Sequence, residues 1–188
     1  MHRLKRFLQQ KFQLPEKDWE MIKEYFQLQF FKKNEYFVRE GKICRKLAFI
    51  AEGVMRYCMF REDGTDITCF FSYENDFAGD PESFFSQKPS NKNMQALTDC
   101  ALITLSYENM QIILQQYPQV KEIFAAIDNL VMTKLLNQRT SNLNTDADSR
   151  YREFMKEYPH ILQRVPQKYI ASFLGITEQS LSRLRKNI

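Results

Sequence analysis

The chain has 188 residues, 27 of them Lys or Arg and 23 Asp or Glu, for a formal net charge of +4. With 44% hydrophobic and 27% charged residues it is neither a disordered nor a collagen-like chain, and it is long enough to bury a sizeable core. No apolar run approaches the roughly 18 residues of a membrane helix.

The net charge is unevenly placed. From Arg150 to Ile188 there are eight basic and three acidic residues, a balance of +5, which leaves 19 basic and 20 acidic residues, or −1, for everything before. A compact basic block points to a polyanionic partner. The rarity of histidine narrows the chemistry: with only His2 and His160, a His-based catalytic or metal centre is hard to build. Cys44, Cys58, Cys69 and Cys100 show no C-x-x-C spacing and read as small buried hydrophobes, so no metal and no cofactor is expected.

In chain order, the basic start MHRLKRFLQQKF lacks the apolar stretch and cleavage site of a secretory signal, so a cytoplasmic protein is expected. After Pro15, Trp19, Ile22 and Phe26 recur at helical spacing behind an acidic first turn. From Phe30 to about Leu105, short runs rich in Phe, Tyr, Ile and Thr alternate with turn signals, and the stretch around Asp63-Gly64 reads as a hairpin. Strands at this spacing imply a β-sandwich or barrel-like roll.

Helical periodicity returns at Tyr107–Leu114, and Pro118 opens a longer helix. In it Val120, Phe124, Ile127 and Val131 form a two-heptad seam broken by Lys134. Packing of this helix on its own domain is the plainer reading; a dimer interface with a second copy is favoured. SNLNTDADS reads as a linker, with Thr145 or Asp146 capping a helix whose apolar face is Tyr151, Phe154, Met155 and Tyr158 and which Pro159 stops.

The stretch VPQKYIASFLGITEQSLSRLRKNI carries the most information. Pro166 suits the first turn of a helix buried through Ile170, Phe173 and Leu174; Gly175 permits a left-handed turn; Thr177 can cap a second helix. On that helix Leu181, Leu184 and Ile188 fall on one side, and Gln179, Ser182, Arg183 and Lys186 on the other. This is a helix-turn-helix, and its chemistry suits double-stranded DNA. Arg183 can reach a guanine edge, Gln179 an adenine or a phosphate, and Glu178 a cytosine amine; Thr177 and Ser182 can donate to phosphates, while Lys168, Arg185 and Lys186 attract the backbone.

With this motif placed, the chain resembles the Crp/Fnr family of bacterial transcription regulators over nearly its full length. The glycine punctuation in YFVREG, IAEGVMRY, REDGT and DFAGDPESF and the segment IASFLGITEQSLSRLRK carry the likeness, which is strongest to short forms from Bacteroidetes. The resemblance implies an α+β chain: a β-roll of the double-stranded β-helix, cyclic-nucleotide-binding-like type over 1–116, a long dimerisation helix over 117–141 and a helix-turn-helix DNA-binding domain over 142–188. It also implies a homodimer, RNA polymerase as a protein partner, a small-molecule effector of unidentified kind, and no membrane.

Where members that bind cyclic nucleotides clamp the phosphate with an Arg–Ser pair, this chain departs from the family. The candidate effector pocket, Gly79, Asp80, Glu82, Ser83, Ser90 and Lys92, has Ser90 in the arginine's place and Asp80 in that of a glutamate. Lys92 lacks the planar fork of an arginine. Cyclic AMP is therefore not the expected effector, and Phe84, Phe85 and Met94 are the side chains available to fill the space. The β-wing that usually follows the recognition helix is not found before Ile188, and Glu178-Gln179 stands where Arg-Glu is common. Two other classes compete: a sensor working through protein contacts, and a cupin-like enzyme, disfavoured because the roll holds no histidine.

Overall fold

The computed structural model describes residues 1–141 and 146–186. Eight strands form two antiparallel four-stranded sheets. The first, in the order β1-β8-β3-β6, comprises β1 (Phe26–Phe31), β3 (Lys46–Glu52), β6 (Phe77–Ala78) and β8 (Cys100–Ser106). The second, in the order β2-β7-β4-β5, comprises β2 (Tyr36–Val38), β4 (Met55–Phe60), β5 (Asp66–Ser72) and β7 (Asn93–Ala96). The hairpin expected at Asp63-Gly64 joins β4 to β5, with Arg61 and Thr65 paired across the turn and Gly64 at φ 81°.

Turn chemistry sets the corner at Gly53, between β3 and β4. Its φ is +107°, and a Cβ there would stand 2.4 Å from Cys100 Sγ and 2.7 Å from the Asp99 carbonyl. Only glycine meets both demands.

Helices cover the roll. The segment read from sequence only as a basic start is a helix, α1 (His2–Phe12), whose Leu4 and Leu8 are buried. Helix α2 (Glu16–Ile22) follows Pro15 and buries Trp19 and Ile22, but it ends there. Phe26 does not continue it: a 3₁₀ turn over Lys23–Tyr25 intervenes and Phe26 opens β1, where its ring stacks on Trp19 at 6.1 Å. A spacing that looked helical is in fact a contact across a chain reversal. The short helix α3 (Pro81–Ser86) lies between β6 and β7.

Helix α4 (Tyr107–Gln116) is capped by Ser106, which accepts from the Asn109 amide. A 3₁₀ turn over Pro118–Val120 leads into α5 (Lys121–Ser141). Lys134, where the apolar seam stops, lies within α5, and its ammonium pairs with Asp76 at 2.6 Å. Helix α6 (Ala147–Glu157) is capped by Asp146, which accepts from the Ser149 amide, while Thr145 lies outside the described residues. Helices α7 (Gln167–Leu174) and α8 (Glu178–Lys186) complete the chain.

Two apolar clusters hold the molecule. The larger unites α1, α2, α4 and the roll. The smaller joins Tyr151, Phe154, Tyr158, Ile170 and Leu174 of the C-terminal helices to Val54, Phe71 and Leu97 of the roll. The basic C-terminal part thus shares a core with the second sheet. At roughly 25 cal/mol per Å² of apolar surface, a buried cluster of this kind contributes several kcal/mol to holding the two parts together.

Candidate nucleic-acid interface and sensor pocket

Helices α7 and α8 meet through a turn that the sequence specifies locally. Gly175 sits at φ 67°, and the Ile176 amide donates back to the Ala171 carbonyl, closing α7. Thr177 Oγ1 then accepts from the Ser180 amide at 3.1 Å and caps α8. Ala171 is buried against this corner, where a larger side chain would hold the helices apart. On α8, Leu181 is buried and Leu184 half-buried; Ile188 lies outside the described residues.

Every residue read as a DNA contact is exposed: Lys168, Thr177, Glu178, Gln179, Ser182, Arg183, Arg185 and Lys186. Among the described residues Arg183, Arg185 and Lys186 make no ion pair, so their charge faces outward undiminished. Three basic residues in the last turn of α8 also complement its dipole.

A polar joint absent from the sequence reading fixes α7 to the roll. Arg56 of β4 is 1% exposed. Its guanidinium donates to both Asp66 oxygens at 2.7 and 2.6 Å, to Gln95 Oε1 at 2.8 and 3.0 Å, and to Thr68 Oγ1 at 3.0 Å. Its open face lies 3.8 Å from the centroid of the Tyr169 ring on α7. Ser172 of α7 donates to the Asp66 carbonyl at 3.2 Å and accepts from the Thr68 amide at 3.0 Å.

A second tie is the pair between Arg164 and Glu74, bidentate at 2.7 and 2.9 Å. Burial works to raise the Glu74 pKa, but the Arg164 hydrogen bonds and the Gly53 amide prevail and hold it at about 2. The period-two position of Arg56 in an otherwise apolar strand was the available signal for the joint. Its partners are 10 to 113 residues away, beyond the reach of local pattern.

The candidate effector residues gather around α3 but bind one another. Asp80 is 2% exposed, and its Oδ2 accepts from Ser90 Oγ at 2.6 Å. Lys92 Nζ lies 3.8 Å from Asp80 and 3.7 Å from Glu82. Ser83 Oγ donates to the Lys88 carbonyl and accepts from the Cys44 amide. The Gly79 amide donates to Met94 Sδ at 3.1 Å. The hydroxyls and the ammonium are thus engaged within the chain, beside two carboxylates that oppose an anion. Phe84 and Met94 are fully buried; Phe85 is half exposed.

Of this set only Gly79 also borders an apolar cavity of about 270 Å³. Its floor is one face of the first sheet, where Phe49 and Ile103 are cross-strand neighbours, as are Phe26 and Leu105. Helices α1 and α5 form its walls. Val120, Phe124, Ile127 and Val131, read from the sequence as a seam for a second copy, all line it. Val120 is 1% exposed and therefore already spent within the chain, while the other three are half-buried.

Residues 28–117 match the family model of the cyclic nucleotide-binding domain. The β-roll is thus similar to cyclic nucleotide-binding domains. No curated protein matches the chain. Among solved structures, the c-di-GMP-responsive global regulator CLP of Xanthomonas campestris has a TM-score of 0.73 at 16% identity, over 92% of this chain and 91% of that one. FixK2 of Bradyrhizobium japonicum has a TM-score of 0.73 at 15% identity, over 86% and 83%. A transcriptional regulator assigned to the Crp/Fnr family from Eubacterium rectale has 0.72 at 16%, over 97% and 87%. The chain therefore has the Crp/Fnr fold, with helices following the β-roll. Within the β-roll, the acidic Asp80 and Glu82 beside Ser90 set the polar site apart from a phosphate clamp.

Proposed function

We propose that the chain is a DNA-binding transcription regulator of the Crp/Fnr type, acting as a homodimer on a pseudo-palindromic operator. The observation that carries this reading is the face of α8: Gln179, Ser182, Arg183 and Lys186 exposed on one side, with Leu181 buried on the other. An amphipathic helix of this kind, held by a tight glycine turn on a preceding helix, suits the major groove. Arg183 reads a base edge, Gln179 and Glu178 adjust the choice of base, and Lys168, Arg185 and Lys186 supply salt-dependent attraction to the backbone. Thr177 acts chiefly as a cap, and its hydroxyl and that of Ser182 reach phosphates at the start of the helix.

Dimerisation proceeds through α5, where Phe124, Ile127 and Val131 keep part of their surface and Met132 is exposed. Two recognition helices then meet half-sites about 10 bp apart. The effector is not cAMP, because Ser90 is held by Asp80 and two carboxylates, Asp80 and Glu82, oppose an anion there; RNA polymerase is the protein partner, and the protein is cytoplasmic and not an enzyme.

Selection of duplexes from a random pool, with gel shifts at two salt concentrations, tests the reading. A steep salt dependence and enrichment of a palindrome are expected. Equal binding of all duplexes, or none, would reject it.

A further inference from the structure

The cavity beneath α5 is too apolar for a nucleotide, and it is partly open to solvent along its rim. Its floor is Phe49, Ile103 and Leu105, its walls include Leu8 of α1 and Ile127 of α5, and Tyr57 brings a phenol to the lining. Burial, and then the charge of nearby Asp80, raise the Tyr57 pKa, so that phenol stays neutral. Charge at the rim comes from Lys121 and Asp128, opposite in sign, which favours no net charge in an occupant.

Size bounds the occupant. A dry apolar cavity of roughly 150 Å³ takes up benzene. Scaled to the cavity's 270 Å³, the occupant has about ten carbons.

We propose that this cavity is a binding site for a compact, uncharged apolar molecule of about ten carbon atoms. Such a molecule would touch the sheet, α1 and α5 at once, making dispersion contacts the empty cavity forgoes. Binding stands on the cavity alone. A role as effector rests on the regulator reading, because filling the space beneath Phe124, Ile127 and Val131 sets the seat of the helix that is to join two copies.

Naphthalene is a suitable probe, titrated into the full chain by its fluorescence and by thermal melting, with the mass followed by light scattering. One saturable site per chain with a micromolar Kd and a raised Tm is expected. Ile127→Trp and Val131→Trp, each filling the space from α5, should weaken uptake at least tenfold while leaving the circular dichroism spectrum unchanged. Absence of saturable binding to the wild-type chain would overturn the proposal whether or not the variants fold. Undiminished binding to both folded variants, or loss of binding when the chain dimerises, would overturn it as well. A chain that takes up naphthalene yet binds no duplex would uphold this site and reject the regulator reading.

Discussion

Arg183 and Lys186 stand one turn apart on the exposed face of α8 and differ in what they can recognise. A guanidinium can engage a guanine edge through two hydrogen bonds, whereas an ammonium is a point charge. Arg183→Ala should cost about 1–3 kcal/mol on the preferred operator and relax selectivity at one base position. Lys186→Ala should weaken all duplexes evenly and reduce the salt slope by about 1. Competition gel shifts across single-base operator variants measure both. Arg56 makes a different kind of contribution. Replacing it with Ala leaves Asp66 and Gln95 without their buried partner and Tyr169 without its cation, at a cost of about 3 kcal/mol by denaturant unfolding. Sequence pattern singles out Arg183 because the role proposed for it needs only its own exposed position on α8. It passed over Arg56, whose role exists only through residues brought in from β5, β7 and α7.

At the scale of elements, the tie between Glu74 of the roll and Arg164, ahead of α7, gives stability a pH dependence. Glu74 has a pKa of about 2 in the folded chain against an ordinary value of 4.5. The depressed value means that its stabilisation is fully present above about pH 4.5 and is lost as the pH falls toward 2. Discounted for the partial exposure of both partners, the pair contributes about 2 kcal/mol at neutral pH. Glu74→Gln should remove most of that and flatten the acid limb of stability between pH 5 and 2, read by thermal melts across that range. The α8 cap is a smaller matter of the same scale: Thr177→Ala should cost about 1 kcal/mol of stability. The glycine turn, this cap and the amphipathic face of α8 were all legible in the sequence, since each is settled within four residues. Helix α1 was not, because its basic residues obscured Leu4 and Leu8, whose burial depends on the sheet they cover. Phe26 failed for a related reason: spacing alone does not distinguish the next turn of a helix from the first residue of a strand stacked back on it.

For the whole molecule, the acidic cluster at Asp80 and Glu82 predicts that calorimetry with cAMP shows no micromolar binding. Ser90 is engaged by Asp80, and Lys92 lies between two carboxylates. A clear heat of binding in that range would refute the assignment. The partition of charge seen in the sequence also takes a physical form. Arg164 is neutralised by Glu74 of the roll, while Arg183, Arg185 and Lys186 face outward, so the positive surface is narrower than the basic block and concentrated on α8. By itself the sequence determined the β-roll, the hairpin, the helix-turn-helix and its exposed residues, because short-range periodicity, glycine positions and caps settle them. Only the tertiary structure decided that α7 is pinned to β4 and β5, that the seam of α5 lines a cavity of its own chain, and that Ser90 and Lys92 turn to Asp80. Those outcomes depend on which distant side chains close packing and hydrogen bonding bring together, and no local pattern encodes that choice.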